Sequence, residues 1–170
     1  FEKAQEEKKN AAWEGNLKSL QKALGSEKIA NELKKDTKKS LKLESKNIDD
    51  DKVKLLVQVL PVCVSLESIT LSNNQITDEG AQALAKVLPK CGALKELRLW
   101  GNQITDKGAN CLVDVLPKSK LTILMLTENQ LMTPKTRKKL NKQSCDKSGT
   151  IENKDGKKIY IDAEKNNSRK

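Results

Sequence analysis

Histidine is absent from the 170 residues, and only 2% of the side chains are aromatic. Without an imidazole near neutral pKa, Ser-His-Asp and Cys-His catalysis are excluded, as are the commonest zinc sites. The four cysteines, Cys63, Cys91, Cys111 and Cys145, include no C-x-x-C pair, which removes zinc ribbons and thioredoxin-like redox motifs. No apolar run approaches the roughly 20 residues that span a bilayer, and no charged-then-apolar segment marks a signal peptide. A soluble chain is expected. Spaced thiols without a compact disulfide framework fit a reducing compartment, so a cytoplasmic setting, in the protein's own cell or a host's, is the expectation. The chain opens on Phe1 rather than methionine, as a processed or excised fragment would.

A chain of this length has room for one domain of ordinary size. Folded, it buries roughly 70% of the surface its extended form exposes, so neither a disulfide nor a metal is needed for stability. The net charge of +10 is unevenly placed. Residues 66–134 carry 7 basic and 7 acidic side chains, whereas residues 135–170 carry 12 basic and 5 acidic ones. The positive field therefore belongs to the C-terminal end and not to the body. Apart from Tyr160, no aromatic platform is interleaved with those lysines, which disfavours nucleic acid as a partner. The run Lys135-Thr136-Arg137-Lys138-Lys139 could tether the chain to an acidic membrane or to RNA, but it also fits the solvated face of a helix. Consecutive carboxylates at Asp49-Asp50-Asp51 suit the positive end of a helix dipole and do not converge on one cation. No metal, cofactor or catalytic residue is expected.

What is present is self-similarity. The segment from Leu94 through Leu97, Leu99 and Asn102 to Ile104 repeats that from Leu66 through Ile69, Leu71 and Asn74 to Ile76 at a shift of 28. Leu121, Leu124, Leu126, Asn129 and Leu131 follow at a shift of 27, and Leu41, Leu43 and Ile48 precede it. Behind this LxxLxLxxNxI frame the apolar period lengthens to that of a helix, as in Ala81, Leu84, Ala85, Leu88 and in Ala109, Leu112, Val113, Leu116. Each unit is thus a short strand followed by a helix. One such unit cannot cover its own leucines, but stacked units share an apolar interior. Asn74, Asn102 and Asn129 fall where the chain leaves the strand, where a side-chain amide can satisfy backbone groups that no regular ladder reaches. Helix starts are marked by Asp49 or Asp50, Thr77 or Asp78, Thr105 or Asp106, and Thr133 before Pro134. Pro61, Pro89 and Pro117 mark the helix ends.

This frame, with the phrases Ile76-Thr-Asp-Glu-Gly80 and Ile104-Thr-Asp-Lys-Gly108, resembles leucine-rich-repeat proteins of the ribonuclease-inhibitor type over residues 38–134. The resemblance implies an α/β fold, a right-handed solenoid with parallel strands on the concave face and helices on the convex face. Such proteins include cytosolic inhibitors, nucleotide-binding immune receptors, the Ran GTPase-activating protein and effectors of intracellular bacteria. A solenoid needs its ends covered. Residues 1–37 are expected to form a helical N-terminal cap, with a helix over Asn16–Leu24 stopped by Gly25 and another capped by Ser26. Residues 135–170 are expected to hold a last helix, a hairpin and a basic tail. In that hairpin a strand over Thr150–Asn153 turns at Asp155-Gly156, and Lys158–Ile161 returns antiparallel.

Strand side chains alternate, so residues between the leucines face the concave side. That places Lys42, Thr70, Arg98 and Met125 in one stripe and Glu44, Ser72, Trp100 and Thr127 in the next, and these eight are the candidate partner-binding residues. Trp100 beside Arg98 has the composition of a binding hot spot. Cys63 and Cys91 are expected as buried thiols in one column of the core. The expected function is a non-catalytic module, acting as a monomer, that binds another protein and no small-molecule substrate. A lysine- and asparagine-rich composition without histidine resembles low-GC intracellular bacteria, which suggests an effector. Regulation of a GTPase, with Arg98 as the only arginine on the strand face, is the alternative from another class.

Overall fold

In this computed structural model, residues 2–35, 38–143 and 155–163 are described. Helices α1 (Glu2–Leu24) and α2 (Glu27–Lys34) come first. Strand and helix then alternate: β1 (Ser40–Lys42), α3 (Asp50–Val59), β2 (Ser68–Thr70), α4 (Asp78–Val87), β3 (Glu96–Arg98), α5 (Asp106–Val115), β4 (Ile123–Met125), α6 (Pro134–Gln143) and β5 (Tyr160–Asp162). The strands lie in chain order in one five-stranded parallel sheet. Leu41, Ile69, Leu97, Leu124 and Ile161 are opposite one another. All five are buried, and they pack with the helix residues Val53, Leu56, Ala81, Leu84, Ala109 and Leu112 into one continuous core. The α/β leucine-rich-repeat solenoid is therefore the fold of this chain.

Three successive units close their helices in the same way. Pro61, Pro89 and Pro117 each occupy the first turn of a single 3-10 turn directly after the helix, where a missing N–H costs nothing. The Cys63 and Cys91 thiols then donate back to Val59 O and Val87 O. In the next unit the Ser119 hydroxyl takes the same place, donating to Leu116 O. The column expected for two thiols thus continues as a hydroxyl.

Two ladders of polar side chains join each unit to its neighbour. Asn102 Oδ1 accepts from Ile76 N (3.0 Å), while its Nδ2 donates to Leu71 O and Leu99 O, both at 3.0 Å. Asn74 serves Ile48 N and Leu43 O, and Asn129 serves Ile104 N and Leu99 O, in the same manner. Because each asparagine reaches backward, the first unit needs none of its own, and Lys46 is exposed. The second ladder runs forward along the helix starts. Asp50 accepts from Thr77 N and Gly80 N, and Asp78 accepts from Thr105 N and Gly108 N. Thr77 and Thr105 cap their own helices, so the choice between threonine and aspartate as the cap is settled for threonine.

At the C-terminal end the parallel pairing of β5 with β4 corrects the expected antiparallel return of residues 158–161. The separation of Leu124 from Ile161 is larger than the repeat period, and the expected first hairpin strand over residues 150–153 lies outside the described residues. The fourth unit also departs from the frame, since Leu131 is exposed and Met132 is buried. A turn after Asn129, closed by Met132 N donating to Asn129 O, adds back the residue lost before Leu121. Thr133 is thereby restored to Asp106, donating to both its carboxylate oxygens.

Candidate protein-binding surface

The parallel register assembles three rows on the strand face. Ser40, Ser68, Glu96, Ile123 and Tyr160 form the first row, and Lys42, Thr70, Arg98, Met125 and Asp162 the second. Glu44, Ser72, Trp100 and Thr127 form the third, where Ser45 N bonds Ser72 O, Asn73 N bonds Trp100 O and Gly101 N bonds Thr127 O. Gly101 lies just beyond β3 in the left-handed region at φ 69°, and a Cβ there would collide with the Asn73 side chain. That close approach holds Trp100 in line with its neighbours.

The eight candidate residues divide by exposure. Lys42, Glu44 and Arg98 are exposed, and Trp100 and Met125 are half-buried. Thr70, Ser72 and Thr127 are buried, which corrects the expectation that all eight side chains meet solvent. The reason is size: Thr70 lies between Lys42 and Arg98 in its row, and Ser72 between Glu44 and Trp100, so the short side chains sit below their neighbours. The Ser72 hydroxyl has no hydrogen-bond partner among the described residues. Alternation missed the first row, because Ile123 and Tyr160 precede the leucine used to set the frame. The half-buried Ile123 and exposed Tyr160 widen the apolar area around Met125.

Arg98 is fixed by its own strand. Its Nε donates to Glu96 Oε1 at 2.7 Å, and the Ser68 hydroxyl donates to Glu96 Oε2 at 3.0 Å. An exposed pair of this kind adds little stability, but it orders the guanidinium beside the aromatic ring's position. The surface thus grades from charged at Lys42 and Glu44, through Arg98 and Trp100, to apolar at Ile123, Met125 and Tyr160. A mixed rim around an aromatic and aliphatic centre is the composition of protein interfaces. Among the described residues no group of three or more cysteine, aspartate or glutamate side chains is arranged to hold a metal ion. None of the described helices is long and apolar enough to cross a membrane.

Comparison with known proteins agrees with the repeat fold. The leucine-rich-repeat family matches residues 62–85 and 93–113. No curated protein matches the chain. Among solved structures, leiomodin-1 actin-binding site 2 is similar with a TM-score of 0.59 at 20% identity, over 66% of this chain and 68% of that one. Period, stacked strand-helix units and both similarities agree on a leucine-rich-repeat protein fold.

Proposed function

We propose that this chain is a non-catalytic module that binds another protein on its concave face, through Arg98, Trp100 and Met125 with Ile123 and Tyr160 beside them. The observation that carries this reading is Trp100. The equivalent positions in the other units hold Glu44, Ser72 and Thr127, so stacking has no need of an indole there. A repeat supplies its own control: residues shared by all units build the scaffold, and a large side chain in one unit alone is available for recognition. The similarity to an actin-binding domain supports a protein partner by fold only. Units of about 28 residues with a full helix support the ribonuclease-inhibitor type of repeat. Widely spaced cysteines without a compact disulfide framework support a reducing compartment.

The GTPase-regulating alternative rests on fold analogy, and the arginine it would use is already paired with Glu96. Affinity capture with the wild type and with an Arg98→Ala, Trp100→Ala double variant tests the concave site. Loss of specific partners from the variant is expected, because hot-spot truncation costs about 2 kcal/mol or more. Unchanged recovery of every partner contradicts the assignment.

A further inference from the structure

A second surface lies beyond the N-terminal ends of the strands. Lys39, Glu67 and Lys95 each immediately precede a strand, and with Val64, Lys120 and Lys157 they line a groove of about 410 Å³. Glu67 is shared between Lys95, whose Nζ is 2.7 Å from Oε2, and Lys39, whose Nζ is 3.6 Å from Oε1. The bond from Lys95 holds the Glu67 carboxyl below its ordinary range. Lys120 approaches Asp155 at 3.8 Å. Among the described residues, the groove's lining carries four lysines and two carboxylates, Glu67 and Asp155.

Its wall carries an aliphatic side chain, Val64, where the repeat does not require one, and Val62 lies two residues before it, outside the lining. Val62 and Val64 are 51% and 70% exposed. The equivalent positions in the next two units hold Lys90 and Lys118, and Gly92 and Lys120. A solvated valine in the groove at the end of one unit, beside these lysines, does not serve stacking. Among the described residues, the groove's lining has no aromatic ring on which a nucleobase could stack, so the chemistry favours a peptide over a nucleic acid.

We propose that this groove docks an acidic linear segment of a partner protein, its carboxylates over Lys39, Lys95, Lys120 and Lys157 and an aliphatic side chain against Val64. The groove is on a different edge from Arg98 and Trp100 and stands or falls separately from the concave site. Selection of a random-peptide phage library on the intact chain tests it, followed by affinity measurement against a Lys39→Glu, Val64→Ser variant and a Trp100→Ala variant. Lys39 and Val64 are exposed and Trp100 is half-buried, and circular dichroism checks that each variant is folded. Selected peptides should be rich in aspartate or glutamate with an aliphatic residue. They should bind the groove variant at least about tenfold more weakly, and Trp100→Ala unchanged. Neutral or basic selected sequences, an absence of enrichment, or loss of binding in Trp100→Ala but not in the groove variant would overturn the proposal. So would displacement of the peptides by a single-stranded oligonucleotide of equal charge.

Discussion

Gly108 is the third residue of α5, and a Cβ there would run into Asp78 Oδ1, with Ile104 and Ala81 close behind. Asp78 cannot move aside freely, since that oxygen already accepts from Thr105 N and Gly108 N at 2.9 Å each. The recurrence of Gly80 and Gly108 was visible in the sequence, but its reason was not. The obstructing carboxylate comes from the preceding unit, at a distance that only stacking reveals. Gly108→Ala is expected to destabilise the chain by about 1–3 kcal/mol through overpacking, despite the better helix propensity of alanine. Gly15→Ala in α1, where nothing stands within 4 Å of the new methyl group, is expected to stabilise it by about 1 kcal/mol. Urea unfolding of the two variants should give opposite signs. A gain in both would remove the steric role of the aspartate ladder.

Helix entry shows the same division between what a pattern contains and what contact decides. Threonine and aspartate are adjacent at each start, and both are good caps. Thr77 and Thr105 cap their own helices because the aspartate beside each is drawn to the following unit. At the last such junction, burial pushes the Asp106 carboxyl up. Hydrogen bonds from the Thr133 hydroxyl and amide outweigh this, and the net value is lowered. A carboxyl lowered in the folded state contributes stability that is full above the unfolded value of about 4 and is lost as pH falls through the folded value. Asp106→Asn should therefore flatten the acid limb of a stability-against-pH profile and leave the shape above pH 5 largely unaltered. An acid limb identical to the wild type would contradict the role given to this carboxylate. Elements also differed from expectation at the two ends. Residues 2–10, Glu-Lys-Ala-Gln-Glu-Glu-Lys-Lys-Asn, have no apolar periodicity, so a pattern search begins the first helix near Asn16, whereas their strong helix formers extend α1 back to Glu2. A strand over residues 158–161 was expected, but its parallel pairing with β4 was hidden by a spacing that exceeds the repeat period.

At the scale of the whole molecule, the frame of leucines at fixed spacing was sufficient to give the strand order, the buried column and the solenoid. Of the candidate binding surface, the sequence supplied Arg98, Trp100 and Met125. It could not say that Thr70, Ser72 and Thr127 lie below their neighbours, because their burial depends on side chains in adjoining units. Nor could it place Ile123 beside Tyr160, which requires the irregular connection to β5. Stacking is what converts local patterns into a platform, and the asparagines carry its most specific signature, since each satisfies groups in the unit before its own. Amide hydrogen exchange on Asn102→Ala measures this directly. The Ile76 amide, which donates to Asn102 Oδ1 from the preceding unit, should lose protection together with the backbone around Leu99. Loosening confined to residues 94–116, with Ile76 as protected as in the wild type, would contradict the coupling of one unit to the next.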